Sequence, residues 1–121
     1  MEKLLSKIRE FNEKRDWAQY HSPKNLATSV MIEAAELAEV FQWLTEEESM
    51  NLSRKALENA GEEIADVFIY LLNLADKLGI DPVEASCRKI KLNAKKYPVE
   101  DSRGSRLKYS EFAEGDHNGR S

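Results

Sequence analysis

The sequence contains little that could crosslink the chain, break its helices or embed it in a membrane. Its single cysteine, Cys87, excludes an intramolecular disulfide and a zinc site built from cysteines. Glycine and proline number only 5 and 3 in 121 residues, which favours long helices over turn-rich β structure. No apolar run approaches the roughly 20 residues of a membrane span, and the N-terminus lacks the apolar core of a signal peptide. These absences predict a cytoplasmic protein without a membrane partner.

Charged residues, by contrast, are abundant and nearly balanced. Lys and Arg together number 18 and Asp and Glu 22, which gives a net charge of −4. This mild acidity disfavours binding to a nucleic acid polymer, which relies on clustered basic residues. A chain of this length forms one domain with a small core, so oligomerisation would add stability. We expect residues 1–112 to form that domain and residues 113–121 to be a disordered tail.

Apolar residues recur with helical spacing through the first 97 residues. The predicted helices span about residues 2–16, 24–44, 53–79 and 82–97, with a short acidic helix from Glu46 between the second and third. Thr45 and Asp81 are the predicted N-caps, Ser53 begins the third long helical pattern, and Gly79 is the predicted stop of that pattern. Gly61, inside the third long helix, predicts a close approach or a bend there. The fold class is therefore all-α, a bundle of four to five helices.

Two glutamates of the second helix lie where apolar side chains are expected. On a wheel of about 100° per residue, one arc holds most of the apolar residues: Leu26, Val30, Ala34, Leu37, Phe41 and Leu44. The apolar zone extends to Ile32, Val40 and Trp43. Glu33 and Glu36 lie within this zone, whereas Glu39 lies on the opposite, wet face. An ionised carboxylate buried without a partner costs several kcal/mol. Glu33 and Glu36 therefore require a partner that compensates their charge.

The third long helix offers further acid rather than a cation. Glu63 and Asp66 repeat the three-residue spacing of Glu33 and Glu36, although acids so spaced are also common on solvated helix faces. If the two helices pack together, four carboxylates converge and repel one another unless a divalent cation lies among them. Ligation by oxygen alone favours Mg²⁺, with Mn²⁺ as a substitute. A di-iron or di-manganese centre is disfavoured because neither histidine completes a Glu-x-x-His motif.

These acidic motifs and their neighbours resemble a known family. EAAE at residues 33–36, EIAD at residues 63–66, RDWAQYHSPKN, FQW, KLNAKKYP and SRGSRLKY are similar to segments of the all-α, MazG-like nucleoside triphosphate pyrophosphohydrolases. The likeness is greatest to the dCTP pyrophosphatases. It implies cleavage between the α- and β-phosphates, releasing monophosphate and pyrophosphate. It also implies homodimers or homotetramers in which neighbouring subunits complete each site.

The resemblance and the chemistry of the residues together predict the site. Glu33, Glu36, Glu63 and Asp66 are the predicted catalytic residues and Mg²⁺ ligands, and which glutamate acts as general base stays open. The predicted substrate-binding residues are Trp17, His21, Trp43, Tyr70, Lys89, Asn93, Lys96 and Arg103. Aromatic side chains suit stacking on a base, and basic ones suit phosphate. The alternatives are a core position for the tryptophans and an ordinary solvated face for the lysines.

The substrate within this superfamily also stays open. We expect dCTP or a modified deoxycytidine triphosphate, in pool cleaning or nucleotide balance, with dUTP and phosphoribosyl-ATP as alternatives. Ile8 stands where some relatives have a polar residue of the nucleotide pocket, which is a reason for base preference to differ. From another class of function, the chain would be a metal-stabilised helical interaction module without catalysis.

Overall fold

Helices make up the regular structure of the described chain. The computed structural model describes residues 1–102, with α1 (Glu2–Lys14), a 3₁₀ turn (Ala18–Tyr20), α2 (Pro23–Phe41), α3 (Glu46–Met50), α4 (Arg54–Leu78), α5 (Pro82–Lys96) and α6 (Val99–Ser102). No strand occurs within this range, which confirms the predicted all-α class. None of the described helices is both long and apolar enough to cross a membrane.

Local sequence determines where the helices begin and end. A side-chain oxygen accepts a hydrogen bond from first-turn backbone N–H groups at four N-caps: Ser22, Thr45, Ser53 and Asp81. These bonds satisfy N–H groups that have no partner within the helix. At the other end of α4, Gly79 adopts φ 67°, in the left-handed region. The predicted caps at Thr45 and Asp81, the predicted helix start at Ser53 and the predicted stop at Gly79 are confirmed.

Three expectations differ from the structure. Helix α2 ends at Phe41, before the predicted Leu44, because the chain turns ahead of the Thr45 cap. The short helix α6 lies where no periodicity was expected. Of the close approach or bend predicted at Gly61, the close approach is wrong, since a Cβ there would meet nothing within 4 Å, and the bend stays a prediction. The predicted domain end at residue 112 and the predicted tail lie outside the described residues.

Residues Met1–Ile80 form one compact unit. Within it α2 packs along α4, and α1 packs against α4 as well. The Arg9 guanidinium joins α1 to α4 by donating to both carboxylate oxygens of Asp76, at 2.9 and 2.5 Å. The buried apolar residues are few, namely Ile8, Leu26, Ala60 and Leu72. Because α4 contacts both other long helices, it is the element on which the unit is organised.

Alanine at two glycines should change the free energy of unfolding in opposite directions. At Gly79, the positive φ of 67° disfavours a Cβ, so Gly79→Ala should lower that free energy by about 1 kcal/mol. At Gly61, an open helix position, Gly61→Ala should raise it by about 0.5–1 kcal/mol. Urea denaturation of the two variants and the wild type measures both effects. A loss at Gly61 would show that another surface packs against it.

Candidate active site

The packing of α2 along α4 brings three glutamates together. One carboxylate oxygen from each of Glu33, Glu36 and Glu63 lies within 4.8 Å of the others. Glu33 and Glu63 are half-buried, whereas Glu36 is exposed. Three like charges at this separation repel strongly. We call these three residues the carboxylate cluster.

No salt bridge reaches the carboxylate cluster from any residue in the range 1–102. Oε2 of Glu33 and Oε2 of Glu63 are buried and accept no hydrogen bond within the described part of the chain. Burial, a hydrogen bond with Glu36 and the neighbouring carboxylates raise the pKa of Glu33 to about 7. Burial and the charges of Glu36 and Asp66 also raise the pKa of Glu63. These carboxylates resist ionisation because no cationic side chain of the described residues pairs with them. A hard divalent cation prefers oxygen ligands and would supply the positive charge.

Glu36 corrects one expectation from the helical wheel. The wheel places it inside the apolar zone of α2, but in the single chain it is exposed. Ile32 and Trp43 of the same zone are also exposed, by 50% and 87%, and so is Ala34. The reason is geometric: α4 covers only one side of α2, so the buried arc is narrower than the apolar arc.

Asp66 lies outside the carboxylate cluster but acts on it. Its charge contributes to the raised pKa values of both Glu33 and Glu63. Asp66 also lines a pocket of about 380 Å³ between α1, the chain after α1, and α4. The single side chain of Asp66 therefore connects the carboxylate cluster to the pocket.

The pocket collects most of the predicted substrate-binding residues that precede α5. Trp17, His21 and Tyr70 line it together with Asp66. Helix α1 contributes mainly apolar side chains, Ile8 among them. A mostly apolar cavity with a few polar groups is the usual form of a small-molecule site. The structure thus places these four predicted residues around one cavity, while their roles stay predictions.

An aromatic series forms one wall of the pocket. The rings of Phe11 and Trp17 lie 5.5 Å apart at 72°, and those of Trp17 and His21 lie 6.4 Å apart at 73°. The Arg15 guanidinium lies 3.7 Å from the Phe11 ring centre, a cation–π contact. Asp16 turns the chain between them with a left-handed φ of 53°. This turn and the ring contacts hold Trp17 against the pocket.

His21 is the titratable group of this wall. It is half-buried, and its Nδ1 has no hydrogen-bond partner among residues 1–102. Burial, followed by the charge of Lys77, lowers the pKa of His21 below its usual range. The imidazole is therefore neutral near pH 7, so one ring nitrogen donates and the other accepts. Such a ring can bond to a polar ligand without contributing charge.

Four predicted site residues lie neither in the carboxylate cluster nor at the pocket. Trp43 lies beyond the end of α2 and is 87% exposed. Lys89, Asn93 and Lys96 share one face of α5, in the segment that begins at Asp81, with Asn93 half-buried and both lysines exposed.

Arg103 lies outside the described residues. The substrate-binding roles of Trp43, Lys89, Asn93, Lys96 and Arg103 all stay predictions. The prediction omitted Asn12 and Asn73, which also line the pocket. The signal that could have found Asn73 is its spacing, since it continues along α4 the side marked by Glu63, Asp66 and Tyr70.

Comparison with known proteins places these features in a family. The model of the MazG-like family matches residues 28–112. dCTP pyrophosphatase 1 of Bos taurus is 41% identical over 108 residues, 88% of this chain and 64% of that protein. The Homo sapiens protein of the same name is 40% identical over 108 residues. This chain therefore spans less than two thirds of the length of these curated relatives.

A solved structure supports the same assignment. The crystal structure of a pyrophosphatase from Archaeoglobus fulgidus has 49% sequence identity and a TM-score of 0.77, covering 81% of this chain and 92% of that one. The family match contains the carboxylate cluster and Asp66, and the structural match covers most of the chain. The resemblance inferred from the acidic motifs is confirmed, and the chain belongs to the MazG-like family.

Proposed function

We propose that this chain is an Mg²⁺-dependent nucleoside triphosphate pyrophosphohydrolase, acting on dCTP or a modified deoxycytidine triphosphate. The observation that supports it best is the carboxylate cluster, with two buried unpartnered oxygens, beside an aromatic-walled pocket. The names of the relatives, dCTP pyrophosphatase and pyrophosphatase, agree with this chemistry. The reaction adds water across the α–β bridge and yields a monophosphate and pyrophosphate.

The carboxylates are suitable ligands for a divalent cation that would in turn bind the phosphates of a substrate. Glu33, Glu36 and Glu63, with Asp66 beside them, would hold Mg²⁺, or Mn²⁺ in its place. When bound, Mg²⁺ supplies charge that neutralises phosphate oxygens and lowers the pKa of water. A triphosphate approaching the cluster without a cation would meet like charge from every carboxylate, which is why we assign these residues to metal rather than to direct substrate contact.

The remaining residues orient the substrate and move a proton. One glutamate accepts the proton of the attacking water while the water oxygen bonds to phosphorus and the bridging P–O bond breaks, its electron pair leaving with the departing phosphate group. Tyr70 lies one turn beyond Asp66 on the pocket side of α4, and we assign it a contact with the sugar or phosphates. Trp17 offers a ring to a base, and we assign phosphate contacts to Lys89 and Lys96.

We further propose that the chain works as a homodimer or homotetramer. One side of α4 exposes large apolar residues at helical spacing, namely Leu57 (63%), Ile64 (55%), Phe68 (43%) and Leu71 (45%). At about 100° per residue, this stripe lies on the side of α4 opposite Asp66. Contiguous exposed apolar surface marks an interaction site. A second copy of the chain would bury the stripe and leave the pocket side of α4 accessible.

The stability of the metal-free protein should depend on Glu33. Its pKa is raised from 4.5 to about 7, so the native state binds more protons than the unfolded state across that window. The free energy of unfolding should therefore fall as pH rises through the window and level off above it. Mg²⁺ should raise the Tm more at about pH 8 than at about pH 6, because it binds ionised carboxylates.

Glu33→Gln should flatten this pH dependence and remove the Mg²⁺ response. Glu39→Gln, on the exposed side of the same helix, is the matched control and should change both far less, because Glu39 acts on the cluster only through a minor charge effect on Glu63. Thermal denaturation with Mg²⁺ or EDTA measures both quantities. If Mg²⁺ leaves the Tm of the wild-type protein unchanged at every pH, the metal assignment is contradicted.

Hydrolysis should release monophosphate and pyrophosphate from a nucleotide, fastest from dCTP and not at all with EDTA. Ion-exchange chromatography of reactions with a panel of dNTPs and NTPs resolves the products. Glu36→Gln and Asp66→Asn should lower kcat/KM by about 100-fold or more while circular dichroism shows an intact fold. Glu62→Gln, an exposed neighbour of the cluster that acts on it only through a minor charge effect on Glu63, is the control and should change the rate far less.

Other products would count against this assignment. Orthophosphate with a diphosphate would contradict α–β cleavage. A folded, metal-binding protein that converts no nucleotide would support the interaction module instead.

A charge on the α4 stripe should dissociate the oligomer. Phe68→Glu and, separately, Leu71→Glu place a carboxylate in a surface that we expect to be buried between copies, so each should shift the sedimentation coefficient to that of a monomer. Lys55→Glu adds the same residue to an exposed position of the same helix and should leave the assembly unchanged. A wild-type protein that sediments as a monomer at every concentration would refute the proposal.

A further inference from the structure

We propose that Asp16 is a positioning residue of the candidate site, because the left-handed turn that it makes after α1 sets the orientation of the Trp17 indole at the pocket. The role of the ring as a surface on which a base stacks rests on the proposed function. The positioning itself involves only the chain between α1 and the 3₁₀ turn, so it can be measured without any reaction.

The end of α1 forms a complete Schellman motif around Asp16. The Trp17 N–H donates to the carbonyl oxygen of Asn12 at 3.0 Å, and the Asp16 N–H donates to that of Glu13 at 3.1 Å. This pair of bonds requires a left-handed residue at the turn, and Asp16 supplies it with a φ of 53°. Glycine is the usual residue at this place, and aspartate is one of the few others that adopt the conformation.

The motif directs Trp17 back onto α1. A Schellman motif is often accompanied by an apolar contact between the residue after the left-handed one and the last turns of the helix. Here Trp17 contacts Phe11, with the ring centres 5.5 Å apart and the rings at 72°. Trp17 is nevertheless 42% exposed, so part of its ring is available to a ligand. The direction of the indole therefore depends on the backbone conformation of Asp16 more than on burial.

The side chain of Asp16 joins this turn to the next one. Nε2 of Gln19 donates to the backbone oxygen of Asp16 at 3.0 Å and to its Oδ2 at 3.2 Å. Both partners are acceptors, so the amide nitrogen of Gln19 and not its oxygen must face them. Beyond it, the Tyr20 N–H donates to the carbonyl oxygen of Trp17 at 2.9 Å. Trp17 thus lies between two turns that are each closed by hydrogen bonds.

A ring held in this way is suited to stacking. Phe11, Trp17 and His21 all line the pocket, and the His21 ring lies 6.4 Å from that of Trp17 on its other side. An aromatic ring that is already oriented loses little conformational freedom when a base stacks on it, which raises affinity. The turn at Asp16 should therefore contribute to nucleotide affinity although Asp16 itself contacts no base.

Three substitutions of Asp16 separate its backbone conformation from its side chain. Asp16→Val introduces a β-branched residue that disfavours a positive φ, so the affinity for dCMP should fall by about 10-fold as the ring loses its fixed place. Asp16→Gly keeps the turn but removes Oδ2, and should lower affinity by about 3-fold. Asp16→Asn keeps both the turn and an acceptor oxygen, and should bind as the wild type does. Isothermal titration calorimetry with dCMP and Mg²⁺ measures all three.

The indole N–H signal of Trp17 reports the positioning without a nucleotide. Heteronuclear NMR resolves this signal, and its loss in Trp17→Phe assigns it. The signal should shift or broaden in Asp16→Val and keep its wild-type position in Asp16→Asn. Gly79→Val is the matched control, because it places the same side chain at the left-handed end of another helix, where φ is 67°. It should lower the Tm but leave the Trp17 signal in place.

These readouts distinguish failure of the inference from failure of the proposed function. A wild-type protein that binds no dCMP contradicts the proposed function, and the indole signal then decides the positioning alone. An indole signal that Asp16→Val leaves unchanged would overturn the inference. So would a Gly79→Val variant that shifts the signal as far as Asp16→Val does, since general destabilisation would then explain both. Unchanged dCMP affinity despite a shifted signal would equally refute the role in nucleotide binding.

Discussion

The packing of α2 along α4 forces like charges together, and the candidate site depends on that contact. Glu33 and Glu63 face each other across it, half-buried and each with an oxygen that no described group satisfies. In an ordinary helix pair such an arrangement would be destabilising, because burial and mutual repulsion both oppose ionisation. The same features make the contact receptive to a hard cation. Under the proposed function, this loss of stability accompanies a metal-binding site between the two helices.

A second contact, that of α1 with α4, forms the pocket. Ile8 supplies apolar burial, the Arg9–Asp76 ion pair fixes the end of the contact, and the pair of Asn12 with Asn73 adds a polar link within it. The Arg9 guanidinium holds the pKa of Asp76 below its usual range, so this tie persists well into acid. The pocket therefore has a wall whose position is set by several independent interactions rather than by apolar packing alone.

Much of the fold was predictable because its signals are local. The caps at Thr45, Ser53 and Asp81 and the stop at Gly79 are set within one helical turn, and sequence shows them directly. The convergence of acids on α2 and α4 was predictable because charge inside an apolar stripe demands a partner. The exposure of Glu36, Ile32 and Trp43 was not, since a wheel shows which residues are apolar but not how much of the helix another element covers.

Other parts of the site depend on contacts distant in sequence. Asn12 and Asn73 are 61 residues apart, and nothing in either segment alone indicates that their amides meet. The left-handed φ of Asp16, which presents Trp17 to the pocket, is likewise unmarked by a glycine. Family resemblance identified Trp17 and His21 as candidates, but only the fold shows that they share a cavity with Asp66 and Tyr70.

The unpaired oxygens of Glu33 and Glu63 have a consequence for how ligands arrive. Under the proposed function, a divalent cation compensates the carboxylate charge that would repel an anionic nucleotide, and the phosphates of the nucleotide add oxygen ligands to the cation. In the thermodynamics of linked equilibria, they are heterotropic ligands with a favourable coupling free energy, and the coupling is reciprocal. The cation's apparent affinity should therefore rise with nucleotide concentration as much as the nucleotide's rises with the cation. Each ligand would then bind more tightly when the other is already present, so the doubly occupied site would form over a narrower range of either concentration than independent binding would allow.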